Sequence, residues 1–344
     1  MPGRIESRAG AAGEGLEGGR LEVMESLYAA IREDLAALPE VAEWPELLEL
    51  ADDLGGATSE LPFWEYPLVA CQAAGADPAT ALPAAGAIFC LVASIRLVDD
   101  MLDEEEEAPY RTLGAGPTAN LALAFQAAAA RSTLRNPPPG LDLAAVQAEI
   151  ASMALETAHG QHLDVTSPGG EDAYWAVAAA KTPPLVQGGL ALGALYGGLP
   201  ESSLGPLRDF GRCAGLVVQL NDDLADAMEA TPAPDWGRPR SNLALLYALE
   251  ADHPERQRFR ELVDRVEDPS SLEEAKRILV RSGAVSYCAM HLARLHREGR
   301  SSLEAVRPPS PGPLIELQER LIAPLERLLR LAGVDQPAGF LAET

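Results

Sequence analysis

The 344 residues are 47% apolar, enough for a sizeable core in one large domain or two small ones. Lys and Arg number 27 against 52 Asp and Glu, a net charge of −25, which argues against a nucleic-acid or anionic-membrane partner. Ala and Leu dominate and aromatic residues make up only 5%, a balance that favours helices over sheet.

Residues 1–19 are Gly-rich and read as a flexible tail without the apolar stretch of a secretory signal, so the cytoplasm is the expected compartment. The remainder, 20–344, reads as a single helical domain. Arg20–Leu38 is amphipathic and predicts a first helix, and Pro39–Leu54 a short second one, ended by Gly55–Ser59. Pro62–Ala76 predicts a third, Gly75–Pro78 a turn, and Ala79 leads into a long apolar helix ending at Asp103. Glu104–Glu107 reads as a solvated face and Gly114–Pro117 as a loop. Helices are predicted over Thr118–Thr133, Leu141–Leu163, Asp172–Tyr196 and Ser202–Met228. Within them, Pro183-Pro184 should bend or break the third and turn Thr182 toward a cavity. Thr231–Ser241 is a Pro-rich loop whose Trp236 is a candidate lid. Helices near Asn242–Glu250, Glu255–Val266, Ser271–Arg281, Ala284–Glu298 and Pro313–Leu331 complete the chain. There is no strand pattern beyond a few residues, no internal repeat, and no apolar run that reads as membrane-spanning. Cys71, Cys90, Cys213 and Cys288 read as small core residues in a reducing compartment.

Two stretches carry the chemistry. Ala87–Asp103 runs apolar residues into Asp99, Asp100 and Asp103; on a helix Asp99 and Asp103 lie one turn apart on the same face. Gly215–Glu229 does the same with Asp222, Asp223 and Asp226. Carboxylates stacked at the end of a buried helix are costly unless a cation or water satisfies them. One or two carboxylates, with water and a phosphate completing the shell, are how Mg²⁺ is usually held. Two such helices facing each other would put both acidic patches across one cavity, a site for several divalent ions and a polyphosphate.

Order and spacing extend this pattern. Gly160, Gln161 and Asp164, then Tyr174 with Lys181-Thr182 seven residues on, then Gln219-Leu220-Asn221-Asp222-Asp223-Leu224-Ala225-Asp226, follow the Asp99-Asp100-Met101-Leu102-Asp103 segment. On these residues the chain, from about 20 to 333, resembles the trans-isoprenyl (polyprenyl) diphosphate synthase family. The resemblance implies an all-α class I isoprenoid-synthase bundle around a central cavity, holding three Mg²⁺ ions and an allylic prenyl diphosphate. It implies that Asp99, Asp103 and Asp222 ligate metal directly, that Asp100, Asp223 and Asp226 ligate or support them, and that Lys181 meets diphosphate oxygens. Thr182 and Gln219 would line the site near the carbocation. Arg111 is a counterpart of the arginine after the first motif, and Arg238 of the lysine after the second. Asp99, Asp103, Asp222 and Lys181 form the implied catalytic set; the implied assembly is a homodimer, with no stable membrane insertion.

The departures divide the function. The family's Lys/Arg-rich segment before the first motif is here Gly55–Phe63, with no cation; its histidine is Val92; its paired arginines shrink to Tyr110-Arg111-Thr112. In the family those groups receive isopentenyl diphosphate, and a diphosphate needs several cations. This favours a terpene-synthase-like enzyme that ionises one prenyl diphosphate and cyclises or quenches the cation. The alternatives are a prenyltransferase using isopentenyl diphosphate or another acceptor, and a non-catalytic partner subunit. Asn221, Asp222 and Glu229 fit the terpene-synthase second motif, but its Ser position is Ala225, so the aspartate-rich form is the better match.

Ile95, Leu91 and Ile88 lie one, two and three turns before Asp99. None is aromatic, which predicts a deep prenyl pocket lined by Ile95 and Leu91, with Phe89 or Phe125 as alternative floors. Arg96, in an apolar run, is expected to pair with a carboxylate such as Asp99 or Asp164, the alternative being contact with a substrate diphosphate. His159 and His162 read as polar helix positions.

Overall fold

The computed structural model describes residues 23–54 and 62–331. The tail at 1–19, the Gly55–Leu61 part of the cation-free segment and residues beyond Leu331 lie outside these. Among the described residues every regular element is helical: α1 (23–36), α2 (Pro39–Ala42), α3 (Pro45–Leu54), α4 (Glu65–Ala73), α5 (Leu82–Leu102), α6 (Tyr110–Leu113), α7 (Ala115–Ser132) and α8 (Leu143–Thr166) form the first half. The second half comprises α9 (Glu171–Lys181), α10 (Pro183–Tyr196), α11 (Leu204–Met228), α12 (Leu243–Glu250), α13 (Arg256–Val263), α14 (Pro269–Arg281), α15 (Ala284–Val306) and α16 (Gly312–Leu331).

Local chemistry sets the boundaries. Pro45 cannot continue a helix from behind, so the expected Pro39–Leu54 helix divides into α2 and α3. Asp142 caps α8 by accepting from the amides of Ala144 and Ala145, and Asn242 caps α12 through Ala244 and Leu245. The expected Asp172–Tyr196 helix breaks at Thr182, with Pro183 and Pro184 opening α10. α15 outruns its expected end at Glu298 by two turns and stops where Arg307 takes a left-handed conformation, φ 48°.

α10 is apolar on all sides and runs through the middle, against α4, α5, α8 and α11. One face joins a core of α4, α11, α12, α14, α15 and α16; the other joins a core of α1, α3, α5, α7 and α8. Contact with α4 is so close that a Cβ on Gly193 would lie 2.0 Å from the Pro67 carbonyl oxygen, so only glycine fits there. All four cysteines are buried thiols.

The segment Pro78–Leu102 corrects the membrane expectation: by length and composition it could cross a bilayer. Two-thirds of its most apolar 18-residue stretch is buried inside the protein, as in a central core helix. Arg96 is also corrected. It faces solvent, where its charge acts on Asp100 one turn on rather than on Asp99 or Asp164. Phe89 and Phe125 meet edge to face, 6.5 Å apart, and Phe89 continues to Tyr28; the pair belongs to the core beside α1.

Candidate active site

Four helices end around one cavity. Asp99 and Asp103 close α5, Asp164 lies near the end of α8, Lys181 ends α9, and Gln219 to Asp226 occupy the last turns of α11. The carbonyl ends of these helices add partial negative charge to an already acidic mouth. The cavity, about 140 Å³, is lined by Asp103, Asp164, Lys181, Asp226, Asp235 and Arg238, with Gln219 and Arg240 also on its wall. α8 and α9 meet closely enough that a Cβ on Gly160 would lie 2.5 Å from the Ala180 carbonyl; this sets Asp164 and Lys181 side by side.

Lys181 Nζ donates to Asp164 Oδ2 at 2.7 Å and stands 3.8 Å from Asp99 Oδ1. Ser241 Oγ donates to the other Asp164 oxygen at 3.1 Å. Arg238 Nη1 reaches across the mouth to Asp103 Oδ1 at 2.5 Å. The Thr182 hydroxyl donates to Gln219 Oε1 at 2.9 Å, and Gln219 Nε2 donates to Asp223 Oδ1 at 3.1 Å. The helix break at Thr182 therefore holds the Gln219 amide at both ends.

Burial pushes the Asp99 carboxyl up to about 6, with Lys181 opposing and Asp103 reinforcing. It pushes Asp222 up to about 7, aided by Asp226 and Asp235, and Asp226 up to about 6, aided by Asp235 and Glu229. Burial also disfavours the charged Lys181, but Asp99 and Asp164 outweigh it and raise its pKa. Asp222 remains open to solvent even though protein surrounds it on several sides.

This donor set fits Mg²⁺. The carboxylates on α5 and α11 are hard oxygen donors; those on α5 face Arg238 and Lys181, whereas Asp222 and Asp226 on α11 have no Lys or Arg within 4 Å among the described residues. Among the described residues no three acidic side chains converge to hold an ion alone. Each motif can thus offer one or two oxygens and leave the rest of the shell to water and phosphate. In the metal-free protein, groups with raised carboxyl pKa values take up protons on folding. Stability is expected to fall as pH rises from 5.5 to 8, through the folded-state values near 6 and 7. Melting curves in EDTA across this range check it: the expected result is a falling Tm, a flatter slope for Asp222→Asn, and recovery with Mg²⁺. A Tm that rises over the same range would contradict the sign.

Several expected residues act differently. Asp223 is buried, and its oxygens accept from the Tyr174 hydroxyl and the Leu243 amide, both at 2.7 Å, besides Gln219; it supports the site rather than offering a free oxygen. Arg111 folds back, its Nε donating to the Glu105 carbonyl at 3.0 Å and its Nη2 to that of Glu104, with the guanidinium over the Tyr110 ring. It braces the loop after the first motif, where Glu104 adopts a φ of 56°, and does not line the cavity. Trp236 is not a lid: it is buried against Phe259 and anchors its loop in the core. That anchor presents Asp235 and Arg238 to the cavity on either side.

The structure adds three residues to the expected set. Asp235 is held by Asn242 Nδ2 at 2.7 Å, and its charge acts on Asp222, Asp223 and Asp226. Arg240 lies over Gly169, where a Cβ would sit 2.6 Å from the Arg240 Cδ, and donates a long 3.4 Å hydrogen bond to the Pro168 carbonyl. Asp164 is the hub of Lys181 and Ser241. Asp235 and Arg240 sit in a Pro-rich loop with no periodicity to mark which side chains turn inward.

Of the expected pocket residues, Leu91 and Ile95 line an apolar groove of about 290 Å³ between α5, α7 and α8, separate from the acidic cavity; Ile88 is buried outside it. Ser94, Val98 and Leu102 continue its α5 wall, and Gln126, Gln161 and His162 supply its polar atoms. Leu102 and Val165, on its rim, immediately neighbour Asp103 and Asp164 in the chain.

An all-helical fold with two facing aspartate-rich helix ends defines an isoprenoid-synthase-like protein, and comparison with known proteins agrees. Residues 67–280 match the polyprenyl synthetase family model, and the chain belongs to that family. It is 28% identical over 264 residues to a short chain isoprenyl diphosphate synthase of Methanothermobacter thermautotrophicus, covering 69% of this chain and 78% of that protein. The geranylgeranyl pyrophosphate synthetase structure from Pyrococcus horikoshii superposes with a TM-score of 0.74 at 23% identity, covering 89% of this chain and 98% of that one. A Corynebacterium glutamicum geranylgeranyl pyrophosphate synthase, complexed with isoprenyl diphosphate and magnesium, gives 0.71 at 18% identity, covering 88% and 99%.

Proposed function

We propose that this protein is a Mg²⁺-dependent prenyltransferase: it ionises an allylic prenyl diphosphate and passes the cation to an acceptor double bond, isopentenyl diphosphate being the first candidate. The observation that carries this is the single cavity where Asp103 and Asp226 face Lys181, Arg238 and Arg240. The relatives, named as prenyl diphosphate synthases, support transfer over the cyclisation that the sequence departures favour.

Breaking the C–O bond sends its electron pair to the diphosphate, so catalysis needs positive charge where that oxygen charge grows. Mg²⁺, three ions in the family pattern, would be held by Asp99, Asp103, Asp222 and Asp226 and would supply Lewis acidity to the leaving group. Lys181 and Arg240 add cations of the chain to the same cavity. Gln219, clamped by Thr182 and Asp223, presents its amide dipole beside the developing carbocation. The groove between α5, α7 and α8, whose rim residues Leu102 and Val165 adjoin Asp103 and Asp164 in the chain, takes the prenyl tail, and its non-aromatic wall suits a chain of farnesyl length or longer. Attack by the acceptor double bond forms the new C–C bond, and a proton is then lost. Exposed Leu123 on α7 and Leu155 on α8, 66% and 74% accessible, suit the homodimer the resemblance implies.

A second reading, cyclisation or quenching of the same cation, draws on Val92 and on Arg111 being turned onto the backbone, which removes two expected contacts to a second diphosphate. Product analysis separates the two. Geranyl, farnesyl and geranylgeranyl diphosphate would each be supplied with Mg²⁺, with and without isopentenyl diphosphate. Elongated diphosphates are the expected result. Hydrocarbon or alcohol from one substrate alone would establish the second reading, and no product in any arm would leave the non-catalytic subunit.

A further inference from the structure

The two aspartate motifs are not equivalent. Two of the three carboxylates that close α5 already face cations of the chain: Arg238 Nη1 lies 2.5 Å from Asp103 Oδ1, and Lys181 Nζ lies 3.8 Å from Asp99 Oδ1. Both cations come from other elements, Lys181 from the end of α9 and Arg238 from the loop after α11. Asp222 and Asp226, by contrast, meet no Lys or Arg within 4 Å among the described residues. We propose that Lys181 and Arg238 are exchangeable counter-ions that keep the first motif closed to metal until a diphosphate draws them off, so that the second motif loads its ion first.

The reasoning rests on the diphosphate-ionising reading above. An ion approaching Asp103 must displace a charge-assisted hydrogen bond, whereas one approaching Asp222 or Asp226 displaces water or a proton and no cation of the chain. A diphosphate offers Arg238 and Lys181 several anionic oxygens, and moving there frees Asp99 and Asp103 for metal. Diphosphate and first-motif metal therefore strengthen each other's binding by the same factor. The arrangement also prevents the first motif from filling with ions when no substrate is present.

The test is Mn²⁺ binding by electron paramagnetic resonance to the metal-stripped full chain, with and without inorganic diphosphate. Wild type is expected to bind one class of Mn²⁺ alone, lost in Asp222→Asn, and further ions only with diphosphate. Arg238→Gln is expected to admit Mn²⁺ at the first motif without diphosphate, about ten-fold more tightly than wild type, while weakening diphosphate. Arg240→Gln separates the contact from a general charge effect. Among the described residues Arg240 meets no carboxylate within 4 Å, so its loss should weaken diphosphate and leave Mn²⁺ affinity unchanged. The inference is overturned if wild type fills every site without diphosphate, if Arg238→Gln brings no tightening, or if Arg240→Gln tightens Mn²⁺ equally. Wild type that binds neither Mn²⁺ nor diphosphate would overturn the functional reading as well.

Discussion

Asp103→Asn and Asp222→Asn are each expected to lower kcat/KM for an allylic diphosphate by about three orders of magnitude. The side chains are isosteric and both lie at the ends of helices packed over most of their length, so the fold is retained. What is lost is an anionic oxygen for a divalent ion, and with it the charge that stabilises the departing diphosphate. The two variants part company in stability. Asp222→Asn removes a carboxyl whose pKa burial and Asp226 push up to about 7, so the metal-free variant should melt higher than wild type near pH 8. Asp103→Asn weakens the Arg238 contact and should bring no such gain. Steady-state kinetics over a Mg²⁺ titration, beside melting curves in EDTA, check both halves. A loss of less than ten-fold in either variant would remove that aspartate from the catalytic set.

Lys181→Gln carries the second large effect, a loss of about 10²–10³ in kcat/KM. The side chain bridges two carboxylates, Asp164 at 2.7 Å and Asp99 at 3.8 Å, from the end of a helix that closes against Gly160. A neutral amide can keep one hydrogen bond but supplies no charge to the diphosphate. It leaves Asp164, whose side chain is only 9% accessible, without the Lys181 charge beside it and with only neutral donors such as the Ser241 hydroxyl among its hydrogen-bond partners. A residue that serves binding and the departing charge alike should raise KM and lower kcat together. Lys181→Arg should recover part of the activity. An unchanged kcat with a raised KM would confine Lys181 to substrate binding.

The elements of the site that the sequence reveals are those tied to helix periodicity. Asp99 with Asp103 and Asp222 with Asp226 announce themselves because apolar helices rarely end in stacked carboxylates. Pro183-Pro184 marks the break that turns Thr182 onto Gln219. Tertiary partners are less legible. Nothing in the spacing tells that Asp223 turns inward to Tyr174 and the Leu243 amide while its neighbour Asp222 stays open. Arg111 has the right position for a diphosphate contact, but the loop's carbonyls claim it. Asp235 and Arg240 come from a proline-rich loop whose conformation is fixed by burial of Trp236 and by the Asn242 cap. Such a loop has no period to read, so its inward-facing charges emerge only with the fold.

Ionisation of an allylic diphosphate in this cavity is measured directly by the release of inorganic diphosphate. Purified protein would be given farnesyl or geranylgeranyl diphosphate with isopentenyl diphosphate, at graded Mg²⁺. Release that requires Mg²⁺, rises with its concentration and disappears in Asp222→Asn is the predicted result. Release that persists in EDTA, or that survives the loss of Asp222, would place the chemistry elsewhere and contradict the account.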